Sequence, residues 1–229
     1  MTARTDLWHH YGRGRAERDH AVDDAFRWVW SQDGGPGAEL LGDLTGRNVA
    51  DLGAGAARHA AHLAVHHEPA RVTAIDASPA QHAFADRMFG HLAPRLRLAR
   101  ADAVAHLSAA PGSYDVLYSV FGAVDFTDPR RLLPAAAVAL RPGGRLVFAT
   151  LAQHVGGAPA RPAVLATDIP ARTPEGEATT LRRWVLQGPV WTAALAEAGF
   201  TAVTVEVRPA RHGGPRDAGT LLVTARRPG

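Results

Sequence analysis

The 229 residues are 46% hydrophobic and 21% charged, enough apolar material to bury a full core as one large α/β domain or a domain with a small lid. All 25 basic residues are arginines against 22 acids, so the net charge is only +3, and the pI of about 10.1 reflects arginine's high pKa, not a strong positive field. The arginines never exceed doublets such as Arg130-Arg131 and Arg182-Arg183, which argues against nucleic-acid binding, and the absence of cysteine excludes disulfides, thiolate metal sites and a cysteine nucleophile.

Residues 1–14 form an aromatic, histidine-rich segment containing Trp8-His9-His10-Tyr11-Gly12. No run approaches the roughly 20 apolar residues of a membrane span, and Met1–Asp6 lacks the apolar core of a signal peptide. The expectation is a cytoplasmic protein with no membrane partner. Val22, Phe26, Val29 and Trp30 recur at near-helical spacing, which predicts an amphipathic helix from Arg15 to about Gln32, ended by Gly34-Gly35-Pro36-Gly37. A short helical piece near Ala38–Leu44 then leads into a strand at Arg47–Leu52.

Further strands are predicted at Arg71–Asp76, Leu96–Asp102, Tyr114–Val120 and Gly144–Thr150. Helices separate them. Ser78-Pro79 opens one that runs to about Leu92, and Asp128-Pro129 opens another that runs through Leu140. Residues 152–188 are rich in Pro, Gly and Thr and too irregular for another simple unit. A helix at Pro189–Ala198 and two strands, Phe200–Arg208 and Thr220–Arg226, finish the chain, with a Gly/Pro-rich turn at Arg211–Asp217. This order predicts an α/β fold: a doubly wound, mostly parallel sheet with helices on both faces and an antiparallel C-terminal hairpin at the edge.

The most informative stretch is Val49-Ala50-Asp51-Leu52-Gly53-Ala54-Gly55 with the helix that follows it. A strand, a Gly-x-Gly turn and a helix N-terminus bring bare backbone and free N–H groups to one corner, the makings of a nucleotide site. Asp76 ends the second strand 23 positions beyond Gly53, near the roughly 20 expected for a carboxylate that accepts both ribose hydroxyls. Arg58 occupies the third glycine position of Gly-x-Gly-x-x-Gly, which disfavours a dinucleotide, and a lysine-free chain has no Walker loop.

VADLGAGAARHA, VTAIDASPAQ, RADAVAHL, YDVLYSVFGAVDF and LRPGGRLVF, in that order, resemble the successive motifs of class I S-adenosylmethionine (SAM)-dependent methyltransferases of the small-molecule type, over about residues 47–150. The resemblance implies SAM as cofactor and S-adenosylhomocysteine as product. It implies that Gly53, Ala54 and Gly55 meet the methionine part, with Asp51 acting on that end, partly through water. Asp76, with Ala77 and Gln81 nearby, would bind the ribose side. Asp102 and the Ala103 backbone would read the adenine edge, and Ser119 would face the sulfonium. The family often has a third glycine where this chain has Ala57. Local readings stand beside these: Asp51 as a loop cap, Asp76 as a turn residue, Asp102 as the N-cap of a short helix, and Asp115 as a structural acid at the far end of the fourth strand.

For the acceptor, the sequence excludes more than it selects. Ser119-Val120-Phe121-Gly122 stands where the nucleic-acid and glutamine amino-methyltransferases carry an Asn/Asp-Pro-Pro-aromatic segment, and the lysine-dependent tetrad of ribose methyltransferases is impossible. A small-molecule metabolite remains, methylated on O or N, with a role in natural-product tailoring. Carbon methylation, an NAD-type oxidoreductase and a non-catalytic SAM-binding protein are the alternatives. Residues 1–32 are expected as an N-terminal lid, and residues 33–229 as the methyltransferase domain with a substrate-lid insertion at 152–188. His154 is the general-base candidate because its pKa suits proton removal near neutrality, and His10 and Tyr11 are further candidates. Asp125 either touches substrate or caps a loop. Trp28, Trp30 and Trp184 read as packing. No metal is expected, and the protein is a monomer or homodimer.

Overall fold

The computed structural model describes residues 5–209 and 218–229; the predicted turn at 211–217 lies outside them. Seven strands form the main sheet: β1 (Asn48–Leu52), β2 (Arg71–Asp76), β3 (Leu96–Arg100), β4 (Tyr114–Val120), β5 (Leu140–Leu151), β8 (Thr201–Arg208) and β9 (Thr220–Arg226). Their order is β3-β2-β1-β4-β5-β9-β8, with β1 to β5 parallel and β9 antiparallel to both β5 and β8. The expected doubly wound sheet with an antiparallel edge is what the chain builds.

Helices cover both faces because the strands alternate apolar side chains between them. Leu52 of β1, Leu117 of β4, Phe148 of β5 and Val223 of β9 point to the face packed by α4 (Ala103–Ser108), α6 (Pro129–Ala139) and α7 (Gly188–Glu197). Val49, Tyr118, Val147 and Leu222, one residue out of step, point to the other face, where α2 (Arg58–His66) and α3 (Pro79–Phe89) lie. Phe148 and Trp191 are fully buried with ring centroids 5.0 Å apart, so truncating either costs about 3–5 kcal/mol.

Two of the predicted caps form. Ser78 Oγ accepts from the Gln81 N–H at 3.1 Å with Pro79 beginning α3, and Asp128 Oδ1 accepts from the Arg130 N–H at 2.9 Å at the start of α6. At the opposite end of the sheet from the Gly-x-Gly corner, Asp115 accepts from the Asn48 N–H at 2.8 Å and from Arg141 Nη1 at 3.0 Å, a structural role.

The predicted helix from Arg15 to Gln32 does not form. α1 spans only Arg13–Arg18, and the chain then runs irregularly to a 3-10 turn at Ala38–Leu41. The reason is tertiary. Carbonyls that an α-helix needs for its own N–H groups are taken by side chains of α2: Arg58 donates to Asp19 O and Ala21 O, and His62 Nδ1 lies 2.7 Å from Asp23 O. Phe26 and Trp28, two residues apart, both go into the core against Tyr118, a spacing that suits extended chain.

Residues 152–188 are more regular than expected. β6 (Thr167–Arg172) and β7 (Ala178–Arg183) pair antiparallel as a separate ribbon. Its strands are largely exposed and polar, with Pro170 inside β6, so the hydrophobic alternation that marks a strand is missing. A four-residue helix, α5 (Ala123–Phe126), completes the elements and sits directly beyond β4.

Candidate functional site

β1, β2 and β4 deliver their carboxyl ends to one place, and the Gly-x-Gly turn is bent over it. Gly53 and Ala54 both donate their N–H to Ile75 O, at 2.9 and 3.0 Å, which fastens the turn to the end of β2. Gly53 has φ +75°, and a Cβ there would lie 2.2 Å from the Ala123 backbone nitrogen, so α5 touches the corner backbone to backbone. Gly55 has φ +54° and only Gln81 Oε1 near its missing Cβ, at 3.5 Å. Ala57 takes φ +59°, the left-handed conformation that a third glycine would adopt freely, and α2 begins at the next residue.

Two carboxylates border this turn. Asp76 accepts from the Gly55 N–H at 2.8 Å and the Ser78 N–H at 2.9 Å, one bond per oxygen, leaving a second lone pair on each. Burial pushes its pKa up, and these two N–H groups oppose the rise. Asp51 is 3% exposed; its Oδ2 accepts from the Tyr118 hydroxyl at 3.0 Å, and Oδ1 has no hydrogen-bond partner among the described residues. Burial raises its pKa to about 8, against the Tyr118 bond, with Asp76 adding to the rise. A buried carboxylate with one oxygen unmet is suited to a cationic donor.

Asp102 caps α4, accepting from the Ala105 N–H at 3.1 Å, and is exposed next to the buried Ala103. Ser119 departs from expectation. It is fully buried and donates to Leu52 O at 2.7 Å, so its hydroxyl pins β4 to β1 from beneath the corner and does not face a ligand. Gln81 is shared: its amide nitrogen donates to Trp8 O at 3.0 Å and Tyr11 O at 2.8 Å and holds the N-terminal segment, while its Oε1 faces Gly55.

That segment roofs the corner. Asp6 Oδ2 accepts from Ser78 Oγ and the Ala80 N–H at the start of α3, and the Trp8 ring meets Phe126 of α5 edge-on at 4.6 Å. His10 Nε2 lies 3.1 and 3.0 Å from the carbonyls of Thr173 and Pro174 in the β6–β7 turn; it ties the segment to the ribbon and is exposed. Tyr11 is 59% exposed. Neither is positioned for catalysis, because each is spent on, or turned toward, the outside of the roof.

Beyond α5 lies a feature that sequence reasoning left open or missed. Asp125, fully buried, receives Nε and Nη2 of Arg183 on Oδ2 at 3.0 and 2.5 Å, and its carbonyl accepts from the Trp184 N–H at 2.7 Å. Burial pushes the Asp125 carboxyl up while Arg183 pulls it down. His154 opens a turn after β5, where burial lowers its pKa and Arg161 and Arg183 lower it further. Trp28 and Trp184 are buried packing residues, whereas Trp30 is half-buried against Phe121 at 5.0 Å. Tyr118 lies within a quoted motif but has no role assigned from it, and Arg183 lies in none; Asp125 and Arg183 are 58 positions apart, and only the folded chain reveals their pairing. A cavity of about 450 Å³ between Phe26, Gly37, His62 and His67 shares no residue with the corner. Among the described residues there is no metal-binding group of three and no helix long and apolar enough to cross a membrane.

A family model described as a methyltransferase domain matches residues 49–144. A ubiquinone biosynthesis O-methyltransferase of Sodalis glossinidius is 32% identical over 113 residues, 49% of this chain and 45% of that protein; the match spans about half the length of this curated relative. Among solved structures, the [4+2]-cyclase SpnF superposes with a TM-score of 0.65 at 20% identity over 97% of this chain and 93% of its own. A 1,6-didemethyltoxoflavin-N1-methyltransferase of Burkholderia thailandensis, solved with its substrate and S-adenosylhomocysteine, gives 0.55 at 22% identity over 84% and 75%.

Proposed function

Because the chain carries a class I SAM-dependent methyltransferase domain, we propose that this protein moves a methyl group from SAM to an oxygen or nitrogen of a small-molecule metabolite. The observation that carries the reading is the pair Asp51 and Asp76 at the Gly-x-Gly corner. Asp51 keeps an unmet oxygen for the ammonium of the methionine part, and Asp76 keeps lone pairs for two ribose hydroxyls. The backbone of Gly53, Ala54 and Gly55 would lie along the methionine part, Ala77 beside the ribose, and Asp102 with Ala103 at the adenine edge. The residues fit the cofactor.

When bound, SAM supplies a methyl carbon on a sulfonium that an acceptor lone pair displaces in line. This chain's part is to orient the acceptor, exclude water beneath the roof of residues 5–11, and remove a proton where the acceptor carries one. His154 is the base we assign, since its lowered pKa keeps the imidazole neutral and able to accept a proton at neutral pH. Both methylating relatives named above act on small molecules, which supports that acceptor class. We further infer a cytoplasmic tailoring enzyme of secondary metabolism, monomeric or homodimeric and without a nucleic-acid partner.

Calorimetry tests the cofactor: S-adenosylhomocysteine should bind and NADH should not, and the reverse would end this reading. Methyl-labelled SAM, incubated with the protein and an extract of the source organism, should label a small metabolite. Label in protein or nucleic acid instead would move the acceptor to another class.

A further inference from the structure

Tyr118 reaches two parts of the molecule at once. In the parallel pairing of β1 with β4 it is the register partner of Asp51, so the two side chains leave the same face of the sheet. Both are buried, and the Tyr118 hydroxyl donates to Asp51 Oδ2 at 3.0 Å. Burial and the Asp51 charge push the Tyr118 pKa up, so the hydroxyl keeps its proton and acts as the donor. With Oδ2 held, Oδ1 is the oxygen left for the Gly-x-Gly corner.

The ring of the same tyrosine is packed by the irregular segment that follows α1. Phe26 and Trp28 meet it with centroids 5.6 and 6.2 Å away. They are alternate residues, which an α-helix would set about 200° apart, so the segment must run extended for both to touch one ring. Other contacts fasten it: Trp28 Nε1 donates to Gly37 O at 2.8 Å, His62 Nδ1 of α2 lies 2.7 Å from Asp23 O, and the Trp30 N–H donates to Thr220 Oγ1 of β9 at 2.9 Å. The segment is thus docked on α2, β4 and β9, and through Tyr118 its docking reaches Asp51.

We propose that Tyr118 is a positioning residue for the cofactor: clamped by Phe26 and Trp28, it holds Asp51 with Oδ1 presented to the ammonium of the methionine part, so that docking of residues 22–30 and cofactor binding strengthen each other. This rests on the SAM-binding reading and adds no chemical step. The coupling is reciprocal, since whatever docking does for affinity the cofactor must do for docking. The groups acting on the Asp51 charge are Tyr118 from β4 and Asp76 from β2; around the tyrosine stand the rings of Phe26 and Trp28, with His59 and His62 of α2 against Phe26. Asp51 keeps its proton up to about pH 8, so a cationic ligand must displace that proton at neutral pH, and the Tyr118 bond eases this by favouring the ionised form.

The test is calorimetry of S-adenosylhomocysteine with the wild type and with Tyr118→Phe, which keeps the ring and loses the donor. At neutral pH the variant should bind about tenfold more weakly or worse, as for a hydrogen bond lost from a charged group. The gap should narrow as pH rises through about 8 and Asp51 begins to ionise unaided. The ligand's own titration is common to both proteins and cancels in the ratio, whereas a merely structural loss would be the same at every pH. Amide exchange reads the coupling: at equal occupancy, S-adenosylhomocysteine should slow exchange across residues 22–30 more in the wild type than in Tyr118→Phe. Phe26→Leu leaves both polar groups in place and slackens the clamp; it should show the same two effects at smaller size, and it serves if Tyr118→Phe does not fold. Wild-type affinity in Tyr118→Phe, a gap independent of pH, or equal protection of residues 22–30 in both proteins would overturn the proposal. Failure of the wild type to bind S-adenosylhomocysteine at any pH would remove the cofactor reading, and the proposal with it.

Discussion

Three glycines with positive φ separate what the corner costs from what it binds. Gly46, Gly53 and Gly55 have φ of +68°, +75° and +54°, so alanine at any of them meets the same left-handed strain, about 1–2 kcal/mol. At Gly46 nothing lies within 4 Å of the added Cβ, and strain is the whole cost. At Gly53 the Cβ would stand 2.2 Å from Ala123 N and 2.8 Å from Gly122 C, backbone atoms that cannot swing aside. Overpacking there adds about 1–3 kcal/mol, giving a total of about 2–5 kcal/mol, a large share of the roughly 5–15 kcal/mol typical of a domain. At Gly55 the sole neighbour is Gln81 Oε1 at 3.5 Å, an ordinary contact, so Gly55→Ala should resemble Gly46→Ala in urea unfolding. The two should part in calorimetry. Gly46→Ala keeps S-adenosylhomocysteine affinity, whereas Gly55→Ala fills the space where the methionine part approaches and should lose at least about tenfold. Equal unfolding costs for Gly53→Ala and Gly46→Ala would refute the packing argument. Unchanged affinity in Gly55→Ala would refute the placement of the cofactor.

Other expectations concern single side chains. Asp51 has a folded pKa of about 8 against an ordinary 3.8, so between those values the folded state binds the extra proton and stability falls as pH rises, by at most about 1.4 kcal/mol per pH unit. Asp51→Asn should flatten that slope in urea titrations run across the window; an unchanged slope assigns it to other groups. Ser119→Ala should cost about 1 kcal/mol through the orphaned Leu52 carbonyl and leave kcat alone, and a large drop in kcat would return the hydroxyl to the reaction. His154→Ala should reduce kcat about 10²–10⁴-fold at unchanged S-adenosylhomocysteine affinity. In the wild type, the acid limb of the kcat profile should fall below the ordinary histidine pKa of 6.5, because the neutral base persists to lower pH. A profile that breaks above 6.5 would point to a different base.

The sheet was readable because its strands are short apolar runs separated by well-marked helix starts: Ser78-Pro79 and Asp128-Pro129 cap as their sequences say. The corner was readable for a related reason, since Gly53, Gly55 and the strand-end acids are local features whose spacing survives folding. Misreadings came where distant residues decided. The spacing of Val22, Phe26, Val29 and Trp30 suggested a helix, but Arg58 and His62 took its carbonyls, and neither lies within 25 residues of them. Ser119 and Gln81 sit at the right strand and helix ends for ligand contact, yet Leu52 O takes the Ser119 hydroxyl and the Trp8 and Tyr11 carbonyls take the Gln81 amide nitrogen. Position along an element can be read from a sequence; the direction in which a side chain spends its hydrogen bonds depends on what else folds beside it.

The contact between Gly53 and Ala123 has a consequence for how such a protein can diversify. Cofactor turn and α5 are welded through main-chain atoms, with no intervening side chain whose change might tune the spacing. The corner is therefore a fixed datum. New acceptors must be accommodated by parts whose attachment relies on side chains, namely the N-terminal roof held by Asp6 and Gln81 and the ribbon held by Arg183 and His10 together with one main-chain bond from Trp184 to Asp125. Grafting different versions of those two pieces onto an unaltered corner is the route by which this scaffold would exchange one acceptor for another.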